Sequence, residues 1–220
     1  MFSPEVTHMI IEGIGESFYM IILSTLLGYV LGLPMGVILA VSDKDGIKPN
    51  KVIYKILNFI VNIVRSVPFL ILLILIIPFT FLVLGKSTGP TATVIPLTIA
   101  AAPFIARMVE SSLKEVDAGV IEAAKSMGAS NWFIIRKVLL VEAKTSLISG
   151  ATIATVTILG YSAMAGAVGG GGLGDIAIQY GYYRYELGIM LVTVVLLILM
   201  VLLFQAIGTL IANRSDKRKR

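Results

Sequence analysis

Long apolar segments alternate with short polar ones along this 220-residue chain. Five apolar segments are almost free of charge, and they run from about 17 to 41, 56 to 84, 91 to 109, 143 to 168 and 187 to 211. The second is interrupted by Pro68 and Pro78, and the third contains Pro96 and Pro103. Since a helix of about 20 apolar residues crosses a hydrocarbon core roughly 30 Å thick, each segment predicts one membrane-spanning helix.

Composition supports a membrane protein. Hydrophobic residues make up 57% of the chain and charged residues only 14%, whereas soluble domains carry about a quarter charged residues. In lipid, only helices and closed barrels satisfy every backbone group. No polar segment is long enough for a separate soluble domain, so we expect an all-α polytopic membrane protein with a single domain over residues 1–220.

Basic residues predict the orientation of these spans. The connection after the first span and the connection after the third span are both rich in lysine and arginine, and only Lys86 and Arg184 fall on the opposite side. Because basic loops stay inside, we expect the amino terminus outside and the carboxy terminus in the cytoplasm. The same rule explains the net charge of +5, so this charge does not indicate binding to nucleic acid. The basic residues that this orientation places on the inner side, in the two connections and the carboxy-terminal tail, include Lys44, Lys48, Lys51, Lys55, Lys114, Lys125, Arg136, Lys137, Arg214, Lys217, Arg218, Lys219 and Arg220.

Catalytic and cofactor sites find little support in the sequence. The chain has no cysteine and one histidine, His8, and no span interior holds a pair of carboxylates. The stretch Gly169–Gly174, GGGGLG, fits a dinucleotide-binding pattern, but a predicted membrane helix precedes it instead of a strand. We therefore expect these glycines to provide a sharp turn and close backbone packing, and we expect no catalytic residue, cofactor or metal in this chain.

Several polar residues within or beside the spans allow two interpretations. Arg107 has Glu110 on the same helical face, which favours a structural residue that reaches the inner surface. Arg65 lies deeper, either at a helix interface or along a pathway. The fourth predicted span is rich in small residues, including Gly150 and Ala154, which favours close helix contact or a polar path.

Two further features carry hypotheses. Tyr161, Ser162 and Met164 lie near the end of the fourth span, and we hypothesise that they face the path of a transported solute, with Met164 as a flexible gate. The connection between the fourth and fifth spans, which we expect outside, carries four tyrosines. Tyrosines there are typical of an interfacial aromatic belt or of a docking surface. These are Tyr180, Tyr182, Tyr183 and Tyr185.

A polar segment between the third and fourth spans, about 117 to 137, predicts a short helix in the cytoplasm. It contains EAAKSMGASNWFIIRKVLL, in which Glu122, Ala123 and Ala124 are followed after three residues by Gly128. Asp117 can cap such a helix, and Gly128 suits its left-handed end. Ala123 and Ala124 leave a low outward surface that fits the groove of a partner, while an ordinary amphipathic connector is the alternative.

This spacing resembles the EAA loop of ABC importer permeases. That loop usually continues with a proline where this chain has Val141. The likeness extends along most of the chain and is strongest to the methionine importer permeases of the type I ABC importers. It rests on RSVPF at 65–69, PLTIAAAPFIARMVE at 96–110, GYSAMAGAVGGGGLG at 160–174 and QYGY at 179–182.

The resemblance implies a transport subunit of the cell membrane, with no enzymatic activity of its own. It implies a homodimer, two ATPase subunits that bind ATP and magnesium, an external methionine-binding lipoprotein, and alternating access. Glu122, Ala123, Ala124 and Gly128 would then couple the chain to the ATPase. One alternative is the permease of an osmoprotectant importer, since its GGLG stretch is similar, or of another amino-acid importer. The other alternative is a stand-alone channel or membrane scaffold.

Overall fold

The computed structural model describes residues 3–215, and that part of the chain is helical and contains no strand. This confirms the predicted all-α fold. Four helices are long and apolar enough to cross a membrane, and a fifth span results if one bent helix pair is counted as one. The helices are α1 (Pro4–Ser42), α2 (Lys51–Ser66), α3 (Phe69–Leu84), α4 (Pro90–Lys114), α5 (Ala118–Ser126), α6 (Asn131–Phe133), α7 (Leu140–Glu142), α8 (Lys144–Ala165), α9 (Gly172–Ile176) and α10 (Leu187–Ser215).

Helix α1 begins well before the predicted start of the first span at about residue 17. Ser3 caps it, since its Oγ accepts a hydrogen bond from the Val6 N–H at 3.3 Å, and Pro4 occupies the first helical position, where its missing N–H costs nothing. The orientation of the spans stays a prediction. Lys217, Arg218, Lys219 and Arg220, on which it partly rests, lie outside the described residues.

The second predicted span is two helices bent by 105° at the break between α2 and α3. Val67 is extended, with φ −82° and ψ 124°, as the residue before a proline prefers, and Pro68 supplies no N–H to continue the helix. Helix α3 runs through Pro78 without a break. Of the two prolines predicted to interrupt this span, only Pro68 does so.

Helix α4 forms the centre of the bundle, and α1 packs along it. The apolar window of α4 is 72% buried, whereas that of α10 is 17% buried. Gly32 and Gly36 of α1 allow the contact, because Cβ atoms there would lie 2.5 Å from the Ala102 carbonyl oxygen and 2.6 Å from the Ala106 carbonyl oxygen. This small-residue seam brings the two backbones together in the manner of membrane helix pairs.

The segment between α8 and α10 is a packed helical excursion, where the sequence predicted an outer loop. A 3₁₀ turn (Gly166–Val168), α9 and a π-helix (Ala177–Tyr182) follow one another and contact α1, α8 and α10. Two side chains of α1 bind the start of α9: Glu16 Oε2 accepts from the Gly172 N–H at 2.7 Å, and Ser17 Oγ accepts from the Leu173 N–H at 2.9 Å. The glycines therefore serve a turn and close packing, as predicted.

Candidate functional site

Helix α5 and the turn that follows it are built by local signals. Asp117 caps the helix, with its Oδ1 accepting from the Gly119 N–H at 2.7 Å. At the other end, the Ala129 N–H donates to the Ala124 carbonyl and the Gly128 N–H donates to the Lys125 carbonyl. Gly128 has φ +78°, so this is a Schellman ending with a left-handed glycine. The predicted cap and the predicted turn are both confirmed.

Of the two alanines of the EAA triplet, Ala123 is exposed and Ala124 is buried. Glu122, Ala123, Met127 and Gly128 are exposed, and Met127 is 81% exposed. Ala124 is only 5% exposed and is buried within this chain. The prediction that both alanines share one outward-facing surface is therefore wrong for Ala124. A larger side chain at position 124 would clash inside the chain before it met any partner.

A cavity of about 380 Å³ separates α5 from the connection between α1 and α2. Its charged lining includes Asp43, Asp45, Lys114, Glu122 and Lys125. Within residues 3–215, no ion pair joins Glu122 and Lys125. Helix α5 packs on the chain through Ile121 and Ala124, while Ala123, Met127 and Gly128 stay exposed.

A second exposed surface follows the turn. Ser130 caps α6 through a 3.3 Å hydrogen bond from the Phe133 N–H, and a π-helix (Ile134–Leu139) then leads into α7. Trp132 and Phe133 are 69% and 51% exposed. Large exposed aromatic side chains at a site are typical of partner or membrane contacts. Val141, at the position where the resembled loop has proline, lies within α7, and the chain turns at Ala143.

A network of charged side chains holds α2, α4 and the end of α1 together. Glu110 is 3% exposed and accepts hydrogen bonds from Arg107, from Lys114 Nζ at 2.7 Å and from Tyr54 Oη at 3.3 Å. Lys114 Nζ also lies 2.7 Å from Asp43 Oδ2. That hydrogen bond from Lys114 lowers the pKa of the Asp43 carboxyl. Since buried charges need partners, this network fixes the position of α2 on α4.

The predicted pair of Arg107 with Glu110 is confirmed, and the position of Arg107 at the inner membrane surface stays a prediction. Its guanidinium also donates to the side-chain oxygens of Asn58 and Asn62 on α2, the latter at 2.8 Å. Arg65, in contrast, is exposed, and among the described residues its guanidinium has no ion-pair or hydrogen-bond partner.

Lysines, asparagines and Arg65 form a line along one face of α2, which we call the α2 polar stripe. Its members recur at three- and four-residue intervals, which places them on one side of the helix. The neighbouring face is apolar and exposed, with Phe59 at 65% and Ile56 at 58%. The α2 polar stripe consists of Lys51, Lys55, Asn58, Asn62 and Arg65.

The three residues hypothesised to face a path lie on two sides of α8. Met164 is 54% exposed, and Tyr161 is half-buried and stacks on Phe69 with ring centroids 4.4 Å apart. Ser162 is 2% exposed, and its Oγ donates to the Leu159 carbonyl oxygen at 2.8 Å. Met164 and Tyr161 therefore share a region of the surface, and Ser162 faces the interior of the chain.

Sequence reasoning missed two features. The first is the seam of Gly28, Gly32 and Gly36 in α1, which the four-residue spacing of these glycines in the sequence could have predicted. The α1 side chains that bind the start of α9 had a weaker signal, namely a glutamate (Glu16) next to a long apolar run. Within residues 3–215, no group of acidic, histidine or cysteine side chains is arranged to hold a metal ion.

The sequence of this chain is similar to those of a known family of transport proteins. Residues 32–220 match the family of binding-protein-dependent transport system inner membrane components. The probable D-methionine transport system permease protein MetI of Vibrio cholerae is 49% identical over 212 residues, covering 96% of this chain and 94% of the relative. The D-methionine transport system permease protein MetI of Escherichia coli K12 is 48% identical over 164 residues, covering 74% and 76%.

The architecture also matches solved structures. A chain from a structure described as inward-facing conformations of the MetNI methionine ABC transporter, native crystal form, superposes with a TM-score of 0.96. It is 46% identical, and the match covers 98% of this chain and 100% of that chain. A chain of an amino acid ABC transporter is 21% identical with a TM-score of 0.79, and this likeness concerns the fold alone.

Proposed function

The chain belongs to the family of binding-protein-dependent transport system inner membrane components, and we propose that it is the membrane-spanning subunit of an ATP-driven methionine importer. As a family member it is a multi-pass membrane protein and a transport component. The methionine assignment is supported by relatives named for D-methionine transport at 43–49% identity and by the MetNI likeness over nearly the whole chain. These comparisons favour methionine over the osmoprotectant alternative.

The observation that carries the coupling role is the exposed face of α5. A short helix that ends in a Schellman turn and presents Ala123, Met127 and Gly128 outward fits a groove on a partner. Glu122 belongs to the same exposed surface. In this proposal the partner is an ATPase that binds ATP and magnesium, because the sequence of this chain holds no nucleotide-binding motif.

The working unit proposed is a homodimer with two ATPase subunits and an external methionine-binding lipoprotein. A related assembly is named in the MetNI structures. Spans two to four of each copy would enclose the path, with Tyr161 and Met164 near its outer part and Ser162 behind them. ATP binding would bring the two α5 helices together and rock the spans outward, and hydrolysis would reset them.

The experiment that tests this function is methionine uptake into proteoliposomes. They would contain this chain, its ATPase and its lipoprotein, with glycine betaine as the competing substrate. We expect ATP-dependent uptake of methionine and none of glycine betaine. Gly128→Asp should abolish uptake, because it adds a side chain and a charge to the exposed turn, and Glu122→Lys should weaken it. Gly85→Asp is the matched control, since Gly85 also has positive φ and open space around it. Betaine uptake or full activity of both α5 variants would refute the proposal.

A further inference from the structure

Helix α2 presents three distinct edges. One edge packs on α1 and α4 and includes Val61, which is fully buried. A second edge is apolar and exposed, with Ile56, Phe59 and Ile60. The α2 polar stripe lies between them. In a membrane, a stripe with this many charges has to face water or a partner, because a charge at mid-bilayer costs roughly 2.5–3.5 kcal/mol even on insertion scales.

Arg107 fixes the orientation of both asparagines of the stripe. A guanidinium can only donate hydrogen bonds, so Asn58 and Asn62 must each turn the side-chain oxygen towards Arg107. The Asn58 oxygen also accepts from the amide nitrogen of Asn62 at 3.4 Å. The NH₂ group of Asn58 and the second N–H of the Asn62 NH₂ group therefore remain available to a ligand, and NH₂ groups only donate.

The rest of the stripe has the same character. Among the described residues, Lys51, Lys55 and Arg65 make no ion pair or hydrogen bond, so their cations are unneutralised. The nearby carboxylate of Glu110 is already shared by Arg107, Lys114 and Tyr54. The stripe thus offers hydrogen-bond donors and positive charge, with no free acceptor of opposite sign.

An open groove of about 740 Å³ runs along this face. Lys55, Asn58, Asn62 and Ser66 give it a polar side, Phe59 and Ile63 give it an apolar side, and Arg65 lies outside its lining, next to it along the stripe. The Ser66 hydroxyl donates to the Asn62 carbonyl oxygen at 2.8 Å. A ligand with an anionic end and an apolar side chain matches such a groove, because each end meets a surface of its own kind.

We propose that the α2 polar stripe lines the aqueous path and recognises the carboxylate of the transported amino acid, with the NH₂ groups of Asn58 and Asn62 as donors that line the groove and Arg65, next to the groove along the stripe, as the cation that binds the carboxylate. This inference rests on the proposed function. It adds to that function that the membrane-spanning subunit itself binds the carboxylate end of the substrate. Arg65 is the last charged residue along α2, beside the 105° bend. Phe59 and Ile63 contact the apolar side chain.

Thiol accessibility tests the stripe directly, and the chain is suited to it because it contains no cysteine. Ser66→Cys places a thiol in the groove, and Ile60→Cys places one on the exposed apolar edge as a matched control. Both variants, in the assembled complex in neutral-lipid nanodiscs, are treated with a negatively charged and a positively charged methanethiosulfonate. We expect Ser66→Cys to react with the anionic reagent roughly tenfold faster than with the cationic one, as positive potential dictates. Ile60→Cys should stay unreactive.

Arg65→Glu in the Ser66→Cys background should remove or invert the preference for the anionic reagent. Methionine should slow the labelling, whereas methioninamide, which lacks the carboxylate, should not. Equal rates with both reagents, or no reaction at Ser66→Cys, would overturn the proposal. Protection by phosphatidylglycerol but not by methionine would assign the stripe to lipid headgroups instead and would equally overturn it.

Transport provides the second arm. With saturating lipoprotein, Arg65→Gln should lower the maximal uptake rate roughly tenfold, the effect of losing one charge-assisted hydrogen bond, and leave KM unchanged. Arg65→Lys should retain most of the rate, and Lys48→Gln removes a charge of the same sign from the loop before α2 as a control. If the wild-type complex takes up no methionine, the proposed function is wrong. The charge preference of thiol labelling would still test whether the α2 polar stripe lines an aqueous path. If the wild type and Arg65→Gln transport methionine equally well, the proposed role of the α2 polar stripe is wrong and the proposed function stands.

Discussion

Two short helices, α5 and α9, each adjoin a glycine with a left-handed backbone, and the two glycines have opposite surroundings. Around Gly128, after α5, an added Cβ would meet no atom within 4 Å. At Gly172, the first residue of α9, a Cβ would lie 2.6 Å from Ser17 Oγ and 2.8 Å from Met20 Cε. The same residue type thus shapes an exposed turn in one place and a backbone contact in the other. The difference separates a surface kept free for a partner from a joint packed within the chain.

Gly172→Ala should have the largest effect. The substitution combines overpacking against α1 with a methyl group at φ +76°, so we expect a loss of about 2–5 kcal/mol. Thermal unfolding and size-exclusion chromatography of the purified chain measure it. Gly85→Ala, at positive φ in open space, isolates the backbone contribution. If the two variants unfold alike, α9 is not packed as tightly as described.

Glu16→Ala should rank second, because it leaves the Gly172 N–H without its acceptor. We expect a loss of about 1–3 kcal/mol, the usual penalty for an unpaired buried donor. Glu16→Gln retains a side-chain oxygen and serves as the matched control. Thermal unfolding compares them, together with hydrogen exchange at the Gly172 amide. Unchanged exchange in Glu16→Ala would show that α1 does not hold α9.

Gly128→Ala should be milder. Only the left-handed backbone opposes the methyl group, so we expect a loss of about 1 kcal/mol. Folding and dimer formation should be normal by size-exclusion chromatography and thermal unfolding. A loss as large as that of Gly172→Ala would remove the contrast between the two glycines.

Acidification should produce the smallest change. The pKa of Asp43 is lowered by its hydrogen bond from Lys114, so the unfolded chain takes up this proton first as the pH falls. The stabilisation is complete above the ordinary pKa of 3.8 and is lost as the pH falls through the lower pKa of the folded state. Comparing the acid unfolding of wild type and Asp43→Asn isolates this contribution. Identical profiles for the two would contradict it.

Local signals made α5 predictable from sequence. An aspartate, a short run of helix formers and a glycine specify a capped helix with a left-handed end, and all three act over a few residues. The break at Pro68 was predictable for the same reason. The inward face of Ala124 was not, because it depends on how α5 packs against the π-helix that follows it.

Long-range contacts were beyond the sequence pattern. Arg107 binds Asn62 across 45 positions and Asn58 across 49, and nothing in the local sequence pairs them. The binding of Glu16 and Ser17 to α9 spans 156 positions. The glycine-rich stretch indicated close packing, but only the fold identifies α1 as the element that it contacts.

Adjacent alanines provide the most direct test of the central claim, that the exposed face of α5 couples this chain to its ATPase. Ala123→Leu and Ala124→Leu add the same side chain, the first outside and the second inside the chain. The measurement is co-purification of the ATPase together with thermal unfolding of the chain alone. We predict that Ala123→Leu unfolds like wild type and loses the ATPase, whereas Ala124→Leu is destabilised by about 1–3 kcal/mol. Full retention of the ATPase by a well-folded Ala123→Leu variant would contradict the account.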